Sequence, residues 1–272
     1  MKGWRGILFL VLLLIANSQQ LIANITVLTW NTARMDYTHK PEKNEVLQFL
    51  MAQDADVICL QEVDVYKSDE FLTLPDVKRT LSKKYPYSYL DFSVYNTRHQ
   101  FGTMVWSKYP LINKQSIHYE TLGNISNRCD IVIEKDTIRL FNNHLESYNL
   151  NPADFEDIDR IEAKWRRAIP LRNKQAQIIR KEIEASPYPS IVVGDFNSVA
   201  LSFAYWHISR GLHDAWNETH YPWQWGSTFE YKGFGVRIDY ILSSDPLRPV
   251  SCSIPSSASG SDHKPVVATL EW

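Results

Sequence analysis

The segment Gly260-Ser261-Asp262-His263-Lys264-Pro265-Val266 sets a carboxylate beside an imidazole, just ahead of an apolar β-branched run. Alone, such a pair is common. Here it closes a series. Trp30-Asn31, Gln61-Glu62, Asn143-His144-Leu145 and Gly194-Asp195-Phe196-Asn197 each end an apolar run, and Arg237-Ile238-Asp239-Tyr240 opens another. Polar residues at the ends of strands are where open sheets carry their chemistry.

These residue types suit hydrolysis of a phosphate ester. That reaction needs a cation against the phosphoryl oxygens, a base for water, stabilisation of the leaving oxygen and donors that orient the anion. Glu62 and Asp262 are hard oxygen ligands, and Asn31 adds a neutral one beside Glu62. His263 titrates near neutrality as a free side chain, which suits a base, and Asp239 is a carboxylate able to fix its tautomer. His144 can donate to a phosphoryl oxygen. Asp195 can position water or the leaving group, and Asn197 can orient the phosphate. Each residue also has a plain reading: a turn former for Asn31, a surface ion pair for Glu62, a satisfied structural histidine for His144, an Asx turn at Asp195. The functional reading rests on all of them together.

Several elements must carry these residues. Strands are expected over 25–30, 56–60, 87–95, 102–106, 112–119, 190–193, 237–242, 250–254 and 265–271, with a hairpin over 130–142 turning at Lys135-Asp136. Helices are expected over 42–52, 71–84, 202–211 and 153–184, the last broken or kinked by Pro170. Its second half carries Arg166, Arg167, Arg172, Lys174, Arg180 and Lys181, either a solvated face or a rim that attracts an anion. Strands fall in two groups with helices between them, so we expect an α/β fold of two sheets packed face to face and flanked by helices. No linker or repeat interrupts the chain, and one domain over 24–272 is expected. Trp216 to Phe234 is rich in aromatics. Trp223, Trp225 and Phe229 are candidates to overhang the site and touch a base, a sugar or lipid, or simply to shape a loop.

The 272 residues are 44% hydrophobic and 12% aromatic, enough for a large core. Lys plus Arg number 29 and Asp plus Glu 31, a net charge of −2. That balance disfavours a protein that grips a long nucleic-acid backbone, although nucleic acid stays among the possible partners, as does membrane lipid. We expect a monomer. Lys2 and Arg5 precede an apolar run from Ile7 to Ala16, with small residues near 18 and 23 for cleavage. This reads as an export signal over 1–23, with an uncleaved anchor as the alternative. The three cysteines, Cys59, Cys129 and Cys252, allow at most one disulfide and fit no zinc spacing.

Taken in order, the motifs from Trp30-Asn31 to Ser261-Asp262-His263-Lys264-Pro265-Val266 resemble the endonuclease/exonuclease/phosphatase superfamily over nearly the whole chain beyond the signal. The resemblance implies a DNase I-like four-layer sandwich and a metal-dependent phosphoesterase, and a site with few carboxylates and no soft ligands points to Mg²⁺ or Mn²⁺. It implies Glu62 and Asn31 at the metal with Asp262 near it. His263 and Asp239 would act at the phosphate, and Asp195, Asn197 and His144 would complete the site. The substrate stays open among a small ester, a nucleic acid and a phospholipid head group of the sphingomyelinase type. An inactive binding protein on the same frame is the rival class, and the complete residue set argues against it.

Overall fold

Most strands at the centre of the protein are buried on both faces, and alternate residues of one strand serve different cores. A computed structural model describes residues 23–121, 123–150, 152–231 and 233–272, so the expected export signal lies outside the described residues. In chain order the elements are β1 (Asn24–Asn31), α1 (Glu45–Ala52), β2 (Val57–Tyr66), α2 (Leu74–Leu81), β3 (Tyr87–Tyr95), β4 (His99–Ser107), β5 (Leu111–His118), β6 (Ile125–Ile133) and β7 (Asp136–His144). A 3₁₀ turn (Pro152–Glu156) leads into α3 (Ile158–Glu184), then β8 (Ser190–Asp195), α4 (Phe203–Ser209), β9 (His213–Asp214) and α5 (Ala215–Thr219). The chain closes with β10 (Phe229–Tyr231), β11 (Phe234–Val236), β12 (Asp239–Ser243), β13 (Arg248–Ser253) and β14 (Val266–Glu271).

One six-stranded sheet runs β13-β14-β1-β2-β4-β3 and the other β5-β6-β7-β8-β12-β9. Ile25, Val27, Val57 and Cys59 of the first meet Cys129, Leu140, Ile191, Val193 and Ile241 of the second in a central core. The intervening residues Leu28, Trp30, Ile58 and Leu60 point outward onto α1 and α2 through Val46, Leu47, Leu50, Val77 and Leu81. On the far side Phe141, Val192, Tyr240 and Leu242 pack against Ala176, Ile179 and Ile183 of α3 and Ala204 and Ile208 of α4. The layers are therefore helix, sheet, sheet, helix, as expected of a DNase I-like fold.

The topology gathers the polar strand ends at one edge. β1 and β2 are parallel, with Asn31 opposite Gln61, and β7 and β8 are parallel, with His144 opposite Asp195. β12 runs antiparallel to β8, so its first residue, Asp239, pairs with Asp195. β14 runs antiparallel to β1, with Val266 beside Thr29, which brings the preceding His263 to the same edge.

Four local expectations are corrected. Glu62 does not end a strand: β2 continues to Tyr66, and its register with β4 shifts between Leu60 and Val63. Pro170 neither breaks nor divides α3, a single helix of 27 residues. It sits on the exposed face, where the Arg166 carbonyl it deprives of a helical donor can be hydrated. The hairpin turns at Glu134-Lys135, since Ile133 pairs directly with Asp136. Glu134 takes the left-handed conformation there, at φ 51°. The helices expected over 42–52 and 71–84 are each trimmed to 8 residues. Asn44 caps α1 by accepting from the Leu47 N–H, and Thr73 with Asp76 forms a capping box on α2. All three cysteines are free thiols.

Candidate active site

Two departures from ordinary backbone set the site. Glu62 stands at the β2 irregularity with φ 49°, and a bulge there turns its carboxylate toward the other sheet. Gly194 has φ 123°, and a Cβ on it would lie 2.0 Å from the Asn143 carbonyl oxygen. Only glycine lets β8 press so close to β7 and carry Asp195 alongside His144.

Asn31, fully buried, spans the sheets. Its amide nitrogen donates to Glu62 Oε1 at 3.0 Å and to Asp195 Oδ2 at 2.9 Å, while its oxygen accepts from the Ala33 N–H at 3.1 Å. Its side-chain oxygen is thus turned away from the carboxylates and occupied, because two carboxylates demand a donor between them. His144 Nε2 lies 3.3 Å from Glu62 Oε1 without hydrogen-bond geometry. Asp195 Oδ1 accepts from the Asn197 N–H at 2.7 Å, and Oδ2 accepts from its side-chain amide at 3.1 Å. That amide also donates to the Leu145 carbonyl, 2.9 Å away.

His263 Nδ1 is 2.9 Å from Asp239 Oδ2, and its Nε2 faces Asp195 Oδ2 at 4.0 Å. The loop that carries His263 is locked to β1. Ser261 donates its hydroxyl to the Asn31 carbonyl at 2.7 Å and accepts from the His263 N–H at 3.1 Å. The Trp30 indole donates to the His263 carbonyl at 2.9 Å. Trp30-Asn31 and Ser261-Asp262-His263 are therefore two halves of one joint. Thr228 holds the start of β12 by accepting from the Ile238 and Asp239 N–H groups.

Charge in this cluster is strongly redistributed. Burial alone would raise the Glu62 carboxyl, but His144 and Asn31 outweigh it and bring it down to about 2. Burial also opposes charge on His144, yet Glu62 and Asp195 hold its pKa above the ordinary value. Burial first, and Asp239 second, push Asp195 above the usual carboxylate range. For His263 burial works against protonation, but Asp239 and Asp195 overcome it and raise the imidazole to about 10. The two flanking carboxylates thus favour the imidazolium form of His263 relative to a free histidine.

Ligand atoms of Glu62, His144 and Asp195 lie within 4.8 Å of one another, as do those of Asp195, Asp239 and His263. A divalent cation fits the first group by donor chemistry, with Glu62 already ionised there. Asp262 joins neither group; it is exposed at the rim of the cleft. Of the aromatic candidates, Phe229 reaches the site, its ring 5.0 Å from that of His263. Trp223 and Trp225 do not line the catalytic cleft and are 71% and 91% exposed.

Sequence reasoning missed the support for Asn197. Arg172, only 2% exposed, donates to the Glu146 and Asn197 carbonyls and lies 4.1 Å from the Tyr148 ring centre. Gln175, one turn on, accepts from the Glu146 N–H at 2.7 Å. The available signal was their place on the apolar stripe of α3 with Ala168, Ala176 and Ile179. The rest of the basic face is largely neutralised: Arg166 pairs with Glu162, Arg167 with Glu146, Lys174 with Glu120 and Arg180 with Glu184.

Two cavities meet at Glu62. One, of about 530 Å³, holds Asp195, Asn197, His263, Phe229 and Trp165; the other, of about 430 Å³, holds His144, Glu146, Lys164 and Arg167.

The model of the Endonuclease/Exonuclease/phosphatase family matches residues 28–263. No curated protein matches the sequence. Among solved structures, the endonuclease/exonuclease/phosphatase from Beutenbergia cavernae DSM 12333 superposes with a TM-score of 0.71 at 16% identity, over 91% of this chain and 71% of that one. Truncated Caenorhabditis elegans TDP2 gives 0.64 at 20% identity, over 91% and 97%. Sphingomyelinase C from Streptomyces griseocarneus gives 0.65 at 17% identity, over 91% and 99%. At these identities the likeness is one of fold.

Proposed function

Since the chain belongs to the endonuclease/exonuclease/phosphatase family, we propose that it is an exported, monomeric phosphoesterase that uses a divalent cation, Mg²⁺ or Mn²⁺, to hydrolyse a phosphodiester or phosphomonoester. The observation that carries this reading is the convergence of Glu62, His144, Asp195, Asp239 and His263 into two overlapping groups at one sheet edge.

In this reading Glu62 would hold the cation, which would supply positive charge against the phosphoryl oxygens. His263, protonated by virtue of Asp239, donates from Nε2 to a phosphoryl oxygen. Asp195 accepts the proton of the attacking water, and Asn197 fixes its orientation through two hydrogen bonds. Asn31 keeps Glu62 and Asp195 from repelling each other apart. His144 balances the charge of Glu62.

Neutralisation of the α3 cations supports a small or head-group ester over a long nucleic acid, whose binding needs many free cations. The test is turnover of bis(p-nitrophenyl) phosphate, plasmid DNA, RNA and phospholipid by chelated and Mg²⁺- or Mn²⁺-restored protein, across a salt series. Hydrolysis restored by metal supports the reading. Duplex DNA preferred by a hundredfold or more, with a steep salt dependence, would make the protein a nuclease instead. Export is tested by the N-terminal sequence of protein recovered outside the cytoplasm.

A further inference from the structure

Beyond the catalytic cleft lies a second groove, of about 440 Å³, between the segment after β8 and the aromatic segment that precedes β12. Val199 and Val236 line both cavities, so the groove continues the cleft. Its walls include Leu201 and Trp225, 99% and 91% exposed.

The groove is built rather than left over. Trp216 forms part of its wall, stacked on His220 with ring centres 3.6 Å apart and donating its indole N–H to the Gln224 carbonyl at 2.9 Å. A Cβ on Gly226 would fall 2.7 Å from the Trp216 ring, so only glycine lets the backbone lie flat against it. Aromatic surface held open in this way is ready for apolar contact without first being ordered.

Charge decides what the groove suits. Among the described residues that line it, the single cation is Arg237, and its guanidinium is committed to Asp214 at 2.8 Å and to Asn217 at 3.0 Å. Nothing there waits for a phosphate. On the other side of Glu62 the cavity is polar, walled by Glu146, Lys164 and Arg167. The path through the site is thus apolar at one end and polar at the other.

We infer that the substrate is an amphiphilic phosphodiester whose alkyl or acyl arm runs from the phosphate past Val199 and Val236 into the Trp216–Leu201–Trp225 groove, while its polar arm lies toward Lys164 and Arg167. This rests on the phosphoesterase reading above and names the substrate class for it. The occupant is the arm of a single substrate molecule, so chain length itself should be read by the enzyme. Each methylene buried in the groove raises transition-state affinity by up to about fourfold.

The experiment is kcat/KM for p-nitrophenyl alkyl phosphates, methyl through octyl, all below their aggregation concentration, with a dinucleotide p-nitrophenyl ester alongside. In the wild type, kcat/KM rises by about two- to fourfold per methylene over several carbons. In Leu201→Ser and Trp225→Ser that slope flattens. The slope is a ratio within each variant, so general damage does not mimic the effect, and both residues are exposed enough for the fold to survive. A flat wild-type slope, a slope unchanged in both variants, or preference for the dinucleotide ester overturns this inference while leaving the phosphoesterase reading intact. No turnover of even the methyl ester with metal present overturns both.

Discussion

The side-chain amide of Asn31 donates to Asp195 Oδ2 at 2.9 Å, although the two residues are 164 positions apart and belong to different sheets. The bond crosses the gap between the sheets at the edge where their parallel strand pairs end. It makes the site a product of how the sheets are stacked, since neither alone holds a complete set of groups.

Loss of that amide should therefore damage chemistry more than folding. Asn31→Ala is expected to lower kcat by about 10–100-fold, as for other residues that orient ligands from behind. The stability cost should stay near 1–3 kcal/mol, set by a buried carboxylate losing one donor. Steady-state kinetics beside urea unfolding measures both. Near wild-type kcat would show that the bridge does not position the carboxylates.

Asp239 is the largest favourable influence on protonation of His263, against the burial that opposes it. If the imidazolium is the active form, activity is present below the His263 pKa and is lost as pH rises through it. Asp239→Asn lowers that pKa, so the alkaline limb of kcat/KM should move to lower pH, with kcat down by about 10²–10⁴-fold. An alkaline limb that stays in place would separate His263 from the pH dependence.

Cation binding should appear as stability as well as rate. A ligand at a hundredfold excess over Kd stabilises a folded protein by about 2.7 kcal/mol. Mg²⁺ or Mn²⁺ should accordingly raise the melting temperature of the wild type, and Glu62→Gln should abolish the rise. An equal rise in both proteins would place the cation elsewhere.

Far from the site, Asp76 anchors α2. Burial raises its pKa, but Lys40 and Thr73 outweigh that and bring the carboxyl down to about 2, from 3.8 when unperturbed. A depressed pKa contributes stability that is present above the unfolded value and fades as pH falls through the folded one. Asp76→Asn should cost about 1–2 kcal/mol at neutral pH, with the difference narrowing between pH 4 and pH 2. Denaturant midpoints at several pH values check this; a difference that does not depend on pH would point to shape rather than charge.

The two-sheet frame was legible because strands buried on both faces read as unbroken apolar runs, as in Val57-Ile58-Cys59-Leu60. Asn31, His144, Asp195 and Asp239 were legible as the polar residues that stop or start such runs at one edge. Glu62 could be chosen but not placed, since nothing in the sequence announces a left-handed residue at a bulge. Continuity of α3 through Pro170 was hidden because the exposed side on which the proline falls depends on tertiary packing. Arg172 looked like one more surface cation, yet it is the buried strut of the Asn197 loop. Aromatic character alone marks Trp223 and Trp225 in the sequence, and it does not distinguish a residue in the cleft from one beyond it.

The most direct test of the account is the rate of bis(p-nitrophenyl) phosphate hydrolysis by His263→Ala, measured against the wild type at saturating Mg²⁺. The account predicts a folded protein with kcat reduced by about 10²–10⁴-fold and activity in the wild type that vanishes on chelation. A folded His263→Ala protein with near wild-type kcat, or wild-type turnover that survives complete metal removal, would contradict it.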